Sequence, residues 1–150
     1  MGILMSNVFD PRSIIIDLQC KTKDEVFVEL LNRITAIHPE CDHAAIIQAL
    51  REREDKMSTG ISSGVAVPHA ICRGLHKTTG AIAVSQTGIE YNALDQNPVY
   101  VVFMLVLCEP AKENHLHILN QISNLVHSEA LSRVREAKSV EDICSVLSRF

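Results

Sequence analysis

Hydrophobic and polar residues follow two different periods along the chain, and these periods separate predicted strands from predicted helices. A β-branched run at 13–18 follows Pro11 and predicts a short first strand. Apolar residues then recur at helical spacing over 27–37, after the capping-box sequence Thr22-Lys23-Asp24-Glu25, and Pro39 ends this helix. The chain therefore opens with a strand and an amphipathic helix.

A second helix and a turn-rich segment come next. Asp42 is a suitable N-cap for a helix whose apolar stripe covers 45–50 and whose end is charged over 51–56. The segment 59–70 contains two glycines, a short β-prone run and Pro68, which predicts a turn and then a strand that ends abruptly. His69 is expected just beyond this strand end.

The rest of the chain predicts a sheet covered on both faces. Strands are predicted at 80–85 and 99–107, and the second is apolar at successive positions, as in a central strand. A polar connection at 91–98 joins them, and two helices follow, one over 113–127 and one starting at Ser139. Helices early and late, with strands between them, predict a single α/β domain over 1–150. We expect a mixed β-sheet of about five strands with helices on both faces.

Composition and charge narrow the classes of function. With 47% hydrophobic and 21% charged residues, the chain of 150 residues has the composition of a globular protein. A formal net charge of −4 is the wrong sign for nucleic-acid binding. The longest apolar run, 99–108, is about half of what a membrane span needs, so no membrane insertion is predicted. No secretion signal is recognisable at 1–6, and we expect a cytoplasmic protein.

The five cysteines are scattered and odd in number, with no C-x-x-C spacing. This pattern argues against a disulfide framework and against a zinc knuckle, so most are expected to be buried thiols. The five are Cys20, Cys41, Cys72, Cys108 and Cys144.

Two of the seven histidines stand out by position. His69 follows Pro68, whose fixed φ stiffens the backbone beside it. His115 precedes Ile118 by three residues and so lies on the inward stripe of its predicted helix, whereas His117 lies on the polar face. Each could also be an ordinary residue, His115 a satisfied core histidine and His69 a turn residue.

Other site chemistries fit the sequence less well. His115 and His117 face apart on a helix and could not both bind one ion, so no metal is predicted. Ser62, Ser63 and Cys72 lie near His69, but no serine or cysteine hydrolase signature accompanies them, although a triad assembled through space stays open. The glycines near this segment lack the Gly-Lys-Ser/Thr ending of a nucleotide-binding loop, and no cofactor is predicted.

The stretch Arg53-Glu54-Asp55-Lys56-Met57-Ser58-Thr59-Gly60-Ile61-Ser62-Ser63-Gly64-Val65-Ala66-Val67-Pro68-His69 closely resembles the active-site signature of a known family. The family comprises the enzyme IIA domains of the phosphoenolpyruvate-dependent sugar phosphotransferase system, fructose/mannitol type (type 2), with their nitrogen-regulatory relatives. Leu94-Asp95 before Pro98-Val99, and Asn114-His115-Leu116 at a helix start, extend the resemblance over nearly the whole chain.

The resemblance implies a fold and a function. The family's fold is a mixed β-sheet with helices on both sides. His69 would be phosphorylated by the phosphocarrier protein HPr and would pass the phosphoryl group to a IIB domain for fructose- or mannitol-type sugar uptake. His115 and Arg53 match the family's two supporting positions. The alternative is a nitrogen-regulatory IIA protein, in which phosphorylation of His69 controls binding to target proteins without sugar transport.

These residue types suit phosphoryl transfer. A neutral imidazole is nucleophilic at physiological pH, and an N-phosphorylated ring remains a good donor. Arg53 offers a fork of donors that matches phosphate, His115 an N–H and Thr59 a hydroxyl, although Arg53 could also be a solvated charge at a helix end. We expect Nδ1–H of His69 to bond a nearby carbonyl or hydroxyl, which leaves Nε2 free to attack.

Overall fold

A computed structural model of the chain describes residues 4–109 and 112–150, without the side chains of residues 112 and 113. In chain order its elements are α1 (Met5–Val8), β1 (Phe9–Ile15), α2 (Lys23–Ile37), α3 (His43–Lys56), β2 (Gly60–Ser62), β3 (Val65–Ala66), β4 (His69–Cys72), β5 (Thr79–Ile89), β6 (Val99–Cys108), α4 (Lys112–Val126), α5 (Ala130–Arg135) and α6 (Val140–Leu147).

The strands form one mixed sheet of six strands in the order β1-β5-β6-β3-β2, with β4 paired to β6 as well. β5 and β6 are antiparallel, whereas β1 pairs with β5, and β3 and β4 pair with β6, in parallel. The predicted fold class is confirmed. The described sheet has one strand more than expected because the segment 59–70 contributes several short strands.

Strand β6 lies in the middle of the sheet and is buried on both faces, as its continuous apolar run predicts. Val102, Met104 and Val106 pack in the core cluster that contains the apolar faces of α2 and α3. Their neighbours Phe103 and Leu105 point to the other face, where they share a cluster with α4, α5 and α6. The helices therefore cover both faces of the sheet.

The predicted helix starts are confirmed by their caps. The Thr22 hydroxyl accepts the amide of Glu25 at the start of α2. The Asp42 carboxylate accepts the amide of Ala45, 3.2 Å away, at the start of α3. Ser139 caps α6 in the same way. Each cap satisfies an amide that has no partner within its helix.

Two short helices, α1 and α5, lie where no helix was predicted. The first strand also begins earlier than expected, at Phe9, and includes Pro11. A proline is tolerated there because β1 is an edge strand that pairs only with β5 in the described sheet. Within the residues that the structure covers, no helix has the length and apolar character needed to cross a membrane.

The five cysteines are free thiols. Cys41, Cys72 and Cys108 are buried, and Cys20 and Cys144 are half-buried. The expectation that most are buried thiols is confirmed.

Strand β3 ends at Ala66, before His69, as predicted, but the expectation that His69 lies beyond the sheet is wrong, because His69 is the first residue of β4. Val65 pairs with Val101 and His69 with Leu105, so β3 and β4 lie on β6 in one unbroken register. Pro68 does not disturb this register, because its carbonyl accepts the amide of Leu105 at 2.9 Å and no donor is required of the proline itself. His69 is therefore held within the sheet and not beyond it.

Candidate active site

The end of α3, the segment that follows it, the start of β4 and one face of α4 enclose a cavity of about 250 Å³. Three of the four predicted site residues, Arg53, Thr59 and His69, lie together in its wall. The remaining described lining residues are Met57, Ser58, Ile61, Val67, Leu119, Ile122, Ser123, Val126 and His127. The cavity thus combines a polar side with an apolar wall from α4.

The His69 ring is oriented by the backbone. Its Nδ1 lies 2.9 Å from the carbonyl oxygen of Val67. Because a carbonyl oxygen only accepts, Nδ1 carries the hydrogen and Nε2 of the neutral ring carries the lone pair. Nε2 makes no hydrogen bond with any residue that the structure describes, and the expected Nδ1 bond is confirmed. The half-buried ring therefore keeps a free nucleophilic nitrogen.

Arg53 lies in the last turn of α3 and is half-buried. One of its N–H groups donates to the carbonyl of Met57 at 2.8 Å, which turns the guanidinium back along its own chain segment. No acidic side chain among the described residues lies within ion-pair distance of this guanidinium. Since a guanidinium carries five N–H donors, Arg53 retains donors for an anion and a positive charge that no described carboxylate neutralises.

Thr59 is buried, and its hydroxyl is already engaged. The hydroxyl donates to Oε2 of Glu54 at 2.6 Å and lies 2.7 Å from the phenol oxygen of Tyr91. A hydroxyl has one hydrogen, so Thr59 can donate to a phosphate only by giving up its bond to Glu54. In the present geometry Thr59 shapes the cavity wall without offering it a donor.

Glu54 is a buried carboxylate that sequence reasoning treated as part of a charged helix end. It accepts the Thr59 amide at 2.9 Å and the Ser58 hydroxyl at 3.2 Å, and its Oε1 lies 3.1 Å from Nζ of Lys23. The signal was present in the spacing, because Ile47, Leu50 and Glu54 follow at i, i+3 and i+7 on the inward face of α3. Sequence reasoning overlooked the inward position of Glu54 because the residue lies within the charged segment 51–56.

Tyr91 is the second residue that sequence reasoning missed, since it lies in the segment predicted as a polar connection. Its ring is fully buried, with Nζ of Lys23 4.8 Å from its centroid. Burial, and then the nearby charge of Glu54, raise the pKa of its phenol well above the ordinary value. The protonated phenol donates to the Thr59 hydroxyl oxygen, whose own hydrogen points to Glu54.

His115 is not among the described residues that line the cavity. Its Nε2 lies 2.7 Å from the carbonyl oxygen of Cys108, which accepts the ring hydrogen at the end of β6. Cys108 pairs with Cys72, three residues beyond His69 along β4, or about 10 Å of strand. The structure therefore holds the His115 ring against the end of β6.

A different histidine, His127, lines the cavity. Its Nδ1 lies 2.8 Å from the carbonyl oxygen of Ser123, one turn earlier, so its Nε2 is the unprotonated nitrogen of the neutral ring. Leu119, Ser123 and His127 follow at four-residue spacing, which is the sequence signal that could have placed this ring beside the site.

The arrangement defines a class of protein. A histidine with a free Nε2 can form a covalent bond to an electrophilic group, and an unpaired guanidinium in the same cavity can bind the oxygens of a small anion. Such a site suits group transfer through a covalent histidine intermediate.

Comparison with known proteins places the chain in a family. The family model described as "Phosphoenolpyruvate-dependent sugar phosphotransferase system, EIIA 2" matches residues 7–150, and the chain belongs to this family.

Named relatives of the chain fall into two groups. A fructose-specific EIIA component of Haloferax volcanii is 35% identical over 71% of this chain and 70% of its own length. A nitrogen regulatory protein of Pseudomonas aeruginosa is 27% identical over 97% of this chain and 95% of its own length. A fructose-specific EIIABC component of Bacillus subtilis is 28% identical over 97% of this chain, which spans only 23% of that protein.

Solved structures share the fold. The nitrogen regulatory protein IIA-Ntr of Neisseria meningitidis matches with a TM-score of 0.88 and 25% identity, over 95% of this chain and 98% of the other. The IIA mannitol enzyme of Escherichia coli, solved in complex with phosphorylated IIB, matches with a TM-score of 0.79 and 16% identity, over 95% and 100% of the two chains.

Proposed function

We propose that the chain is a single phosphotransferase domain over 1–150, working in the cytoplasm, that accepts a phosphoryl group from phosphorylated HPr on Nε2 of His69. The observation that carries this proposal is the bond from Nδ1–H of His69 to the Val67 carbonyl, made in a cavity that also contains Arg53. This arrangement leaves Nε2 of His69 to form the bond to phosphorus, and the Arg53 guanidinium to neutralise the negative charge of the phosphoryl group.

The transfer step balances without a separate base. The lone pair on Nε2 of His69 attacks phosphorus, a new P–N bond forms, and the P–N bond to the donor imidazole breaks with its electron pair returning to that ring. The His69 ring becomes a phosphoimidazolium, and its Nδ1–H remains bonded to the Val67 carbonyl. An acceptor oxygen there stabilises the positive charge that the ring gains.

Arg53 and His115 are proposed to stabilise the transferring group. The phosphoryl group passes through a loose state with negative charge on its three equatorial oxygens, so donors and positive charge around it lower the barrier. Arg53 lies in the cavity wall and, among the described residues, bonds only the Met57 carbonyl. His115 would have to release the Cys108 carbonyl, or carry a second proton on Nδ1, before it could donate to the same group.

Onward transfer to a IIB domain would complete a sugar-uptake relay of the fructose or mannitol type. Two observations support this partner class. The chain has fructose-specific relatives, and a protein with the same fold, the mannitol IIA enzyme of Escherichia coli, was solved in complex with phosphorylated IIB. In this role the chain would be a transferase with a phosphohistidine intermediate.

A nitrogen-regulatory role is the second candidate, favoured by a specific observation. The TM-score to the Neisseria meningitidis nitrogen regulatory protein is 0.88, against 0.79 for the mannitol enzyme. In this role phosphorylation of His69 would add negative charge at the cavity and so change which target protein is bound, without sugar transport.

One experiment tests the function and separates the two roles. The protein is incubated with radiolabelled phosphoenolpyruvate, enzyme I and either sugar-type or nitrogen-type HPr, and acid-labile label is measured on wild type and on His69→Ala. We expect labelling of the wild type alone, and the faster donor identifies the role. Absence of label with both donors, or equal labelling of His69→Ala, would contradict the proposal.

A further inference from the structure

A chain of hydrogen bonds leads from a buried carboxylate to the His69 ring. Glu54 accepts both the amide and the hydroxyl of Thr59, at 2.9 and 2.6 Å. The carbonyl of Thr59 accepts the amide of Val67 at 3.1 Å. The carbonyl of Val67 then accepts Nδ1–H of His69 at 2.9 Å. Each bond is made to a residue whose carbonyl accepts the next bond.

The negative charge of the buried Glu54 carboxylate is compensated by a neighbouring cation. Its side chain is only 5% exposed, and burial of an uncompensated charge would strongly destabilise the fold. Nζ of Lys23, 3.1 Å away, supplies the opposite charge from the start of α2. The same ammonium lies over the Tyr91 ring, and the Tyr91 phenol bonds the same Thr59 hydroxyl that donates to Glu54. The Thr59 hydroxyl is therefore bonded to two buried side chains, Glu54 and Tyr91.

We propose that Glu54 is a positioning residue for His69. Through Thr59 and Val67 it holds the Val67 carbonyl in the place that keeps the hydrogen on Nδ1, and so presents Nε2 as the nucleophile. Glu54 is not among the described residues that line the cavity, so it would act on His69 only through Thr59 and Val67. The effect on transfer rate rests on the proposed function, whereas the effect on the His69 tautomer does not.

Three variants separate positioning from simple fold stability. Glu54→Ala removes every acceptor at once. Glu54→Gln keeps the shape and one acceptor oxygen for the Thr59 amide, but places an amide nitrogen against the Thr59 hydroxyl. Glu52→Gln is the matched control, since Glu52 is exposed on the same helix and bonds only the side chain of Gln48 among the described residues.

Two measurements are made on each variant, with thermal unfolding to verify the fold. Nitrogen-15 NMR of the histidine rings reports the His69 tautomer without any partner protein, and steady-state transfer from phosphorylated HPr gives kcat and KM. In Glu54→Ala we expect both tautomers to be populated and kcat to fall about tenfold to a hundredfold with little change in KM, because a misplaced nucleophile costs rate more than binding. Glu54→Gln should show the same changes to a smaller degree, and Glu52→Gln neither.

A wild-type tautomer and a wild-type kcat in Glu54→Ala would overturn the inference. If that variant does not fold, Glu54→Gln decides, and wild-type values of both quantities there would overturn it equally. If the wild type accepts no phosphoryl group, the proposed function fails. The comparison of His69 tautomers still tests whether Glu54 positions the His69 ring.

Discussion

The carbonyl oxygen of Val67 holds Nδ1 of His69 at 2.9 Å, across the single proline that separates the two residues. Pro68 fixes φ between them and leaves its own carbonyl to Leu105 of the neighbouring strand, so neither end of this short segment is free to turn. The backbone of the sheet therefore fixes the orientation of the His69 ring. This rigidity suits the proposed role of His69, in which the ring accepts a phosphoryl group and passes it on.

Replacement of Arg53 is expected to slow transfer without harm to the fold. Arg53→Gln removes a charged donor, and bonds of that kind are worth about 1.5–3 kcal/mol, so transfer from HPr should fall about tenfold to a hundredfold. Arg53→Lys should recover part of the loss, because lysine restores the positive charge but lacks the planar set of N–H donors of a guanidinium. Lys56→Gln, an exposed change in the same turn, is the control in rapid-quench measurements. Equal rates for Arg53→Gln and the control would remove Arg53 from the site.

His115→Ala tests whether that ring takes part from its place at the end of β6. We expect a folded protein that accepts phosphate poorly, because the transferring group would lose a donor. His117→Ala is the matched control, since His117 is exposed on the same helix. Transfer at the wild-type rate in His115→Ala, measured with phosphorylated HPr, would limit His115 to its bond with the Cys108 carbonyl.

Gly60→Ala tests the packing behind the site. A Cβ at Gly60 would lie 2.8 Å from the Cβ of Ala93 and 2.8 Å from Cδ1 of Tyr91. Tyr91 is buried and bonded to Thr59, so it cannot move aside without loss of that bond, and we expect a loss of about 1–3 kcal/mol in the free energy of unfolding. Urea denaturation measures it. Wild-type stability would show that this part of the core is loosely packed.

The buried phenol of Tyr91 predicts a particular loss of stability at high pH. Burial raises the pKa of this phenol in the folded protein above its ordinary value of 10.0, so above pH 10 the unfolded chain loses a proton that the folded protein keeps. Stability should therefore fall above pH 10 by up to about 1.4 kcal/mol per pH unit more in wild type than in Tyr91→Phe. Denaturation curves between pH 8 and 11 compare the two proteins. Parallel pH dependences would contradict the burial of this group.

Much of the fold follows from local patterns in the sequence. Thr22, Asp42 and Ser139 cap helices where their spacing predicts, and the apolar run of β6 identifies the strand at the centre of the sheet. The strand before Pro68 is predicted, but its continuation as β4 is not, because the pairing of β3 and β4 depends on the amides and carbonyls of β6, which are distant in sequence.

The site was only partly predictable, for a similar reason. His69 and Arg53 belong to one continuous motif, and the fold brings them to one cavity. Glu54 lies in a run of charges, and although its spacing from Ile47 and Leu50 places it on the inward face of α3, its bonds to Thr59 depend on how the chain folds after the helix. The position of His115 depends on a contact with the last residue of β6, which helical periodicity does not reveal.

The most direct test of the account is to determine which nitrogen carries phosphate. The protein, labelled with nitrogen-15 in its histidine rings, is phosphorylated through enzyme I and HPr, and phosphorus–nitrogen couplings are read by NMR. We predict one phosphoryl group, on Nε2 of His69, with the hydrogen retained on Nδ1. Phosphate on Nδ1 of His69, or on any other histidine, would contradict the geometry on which the proposed function rests.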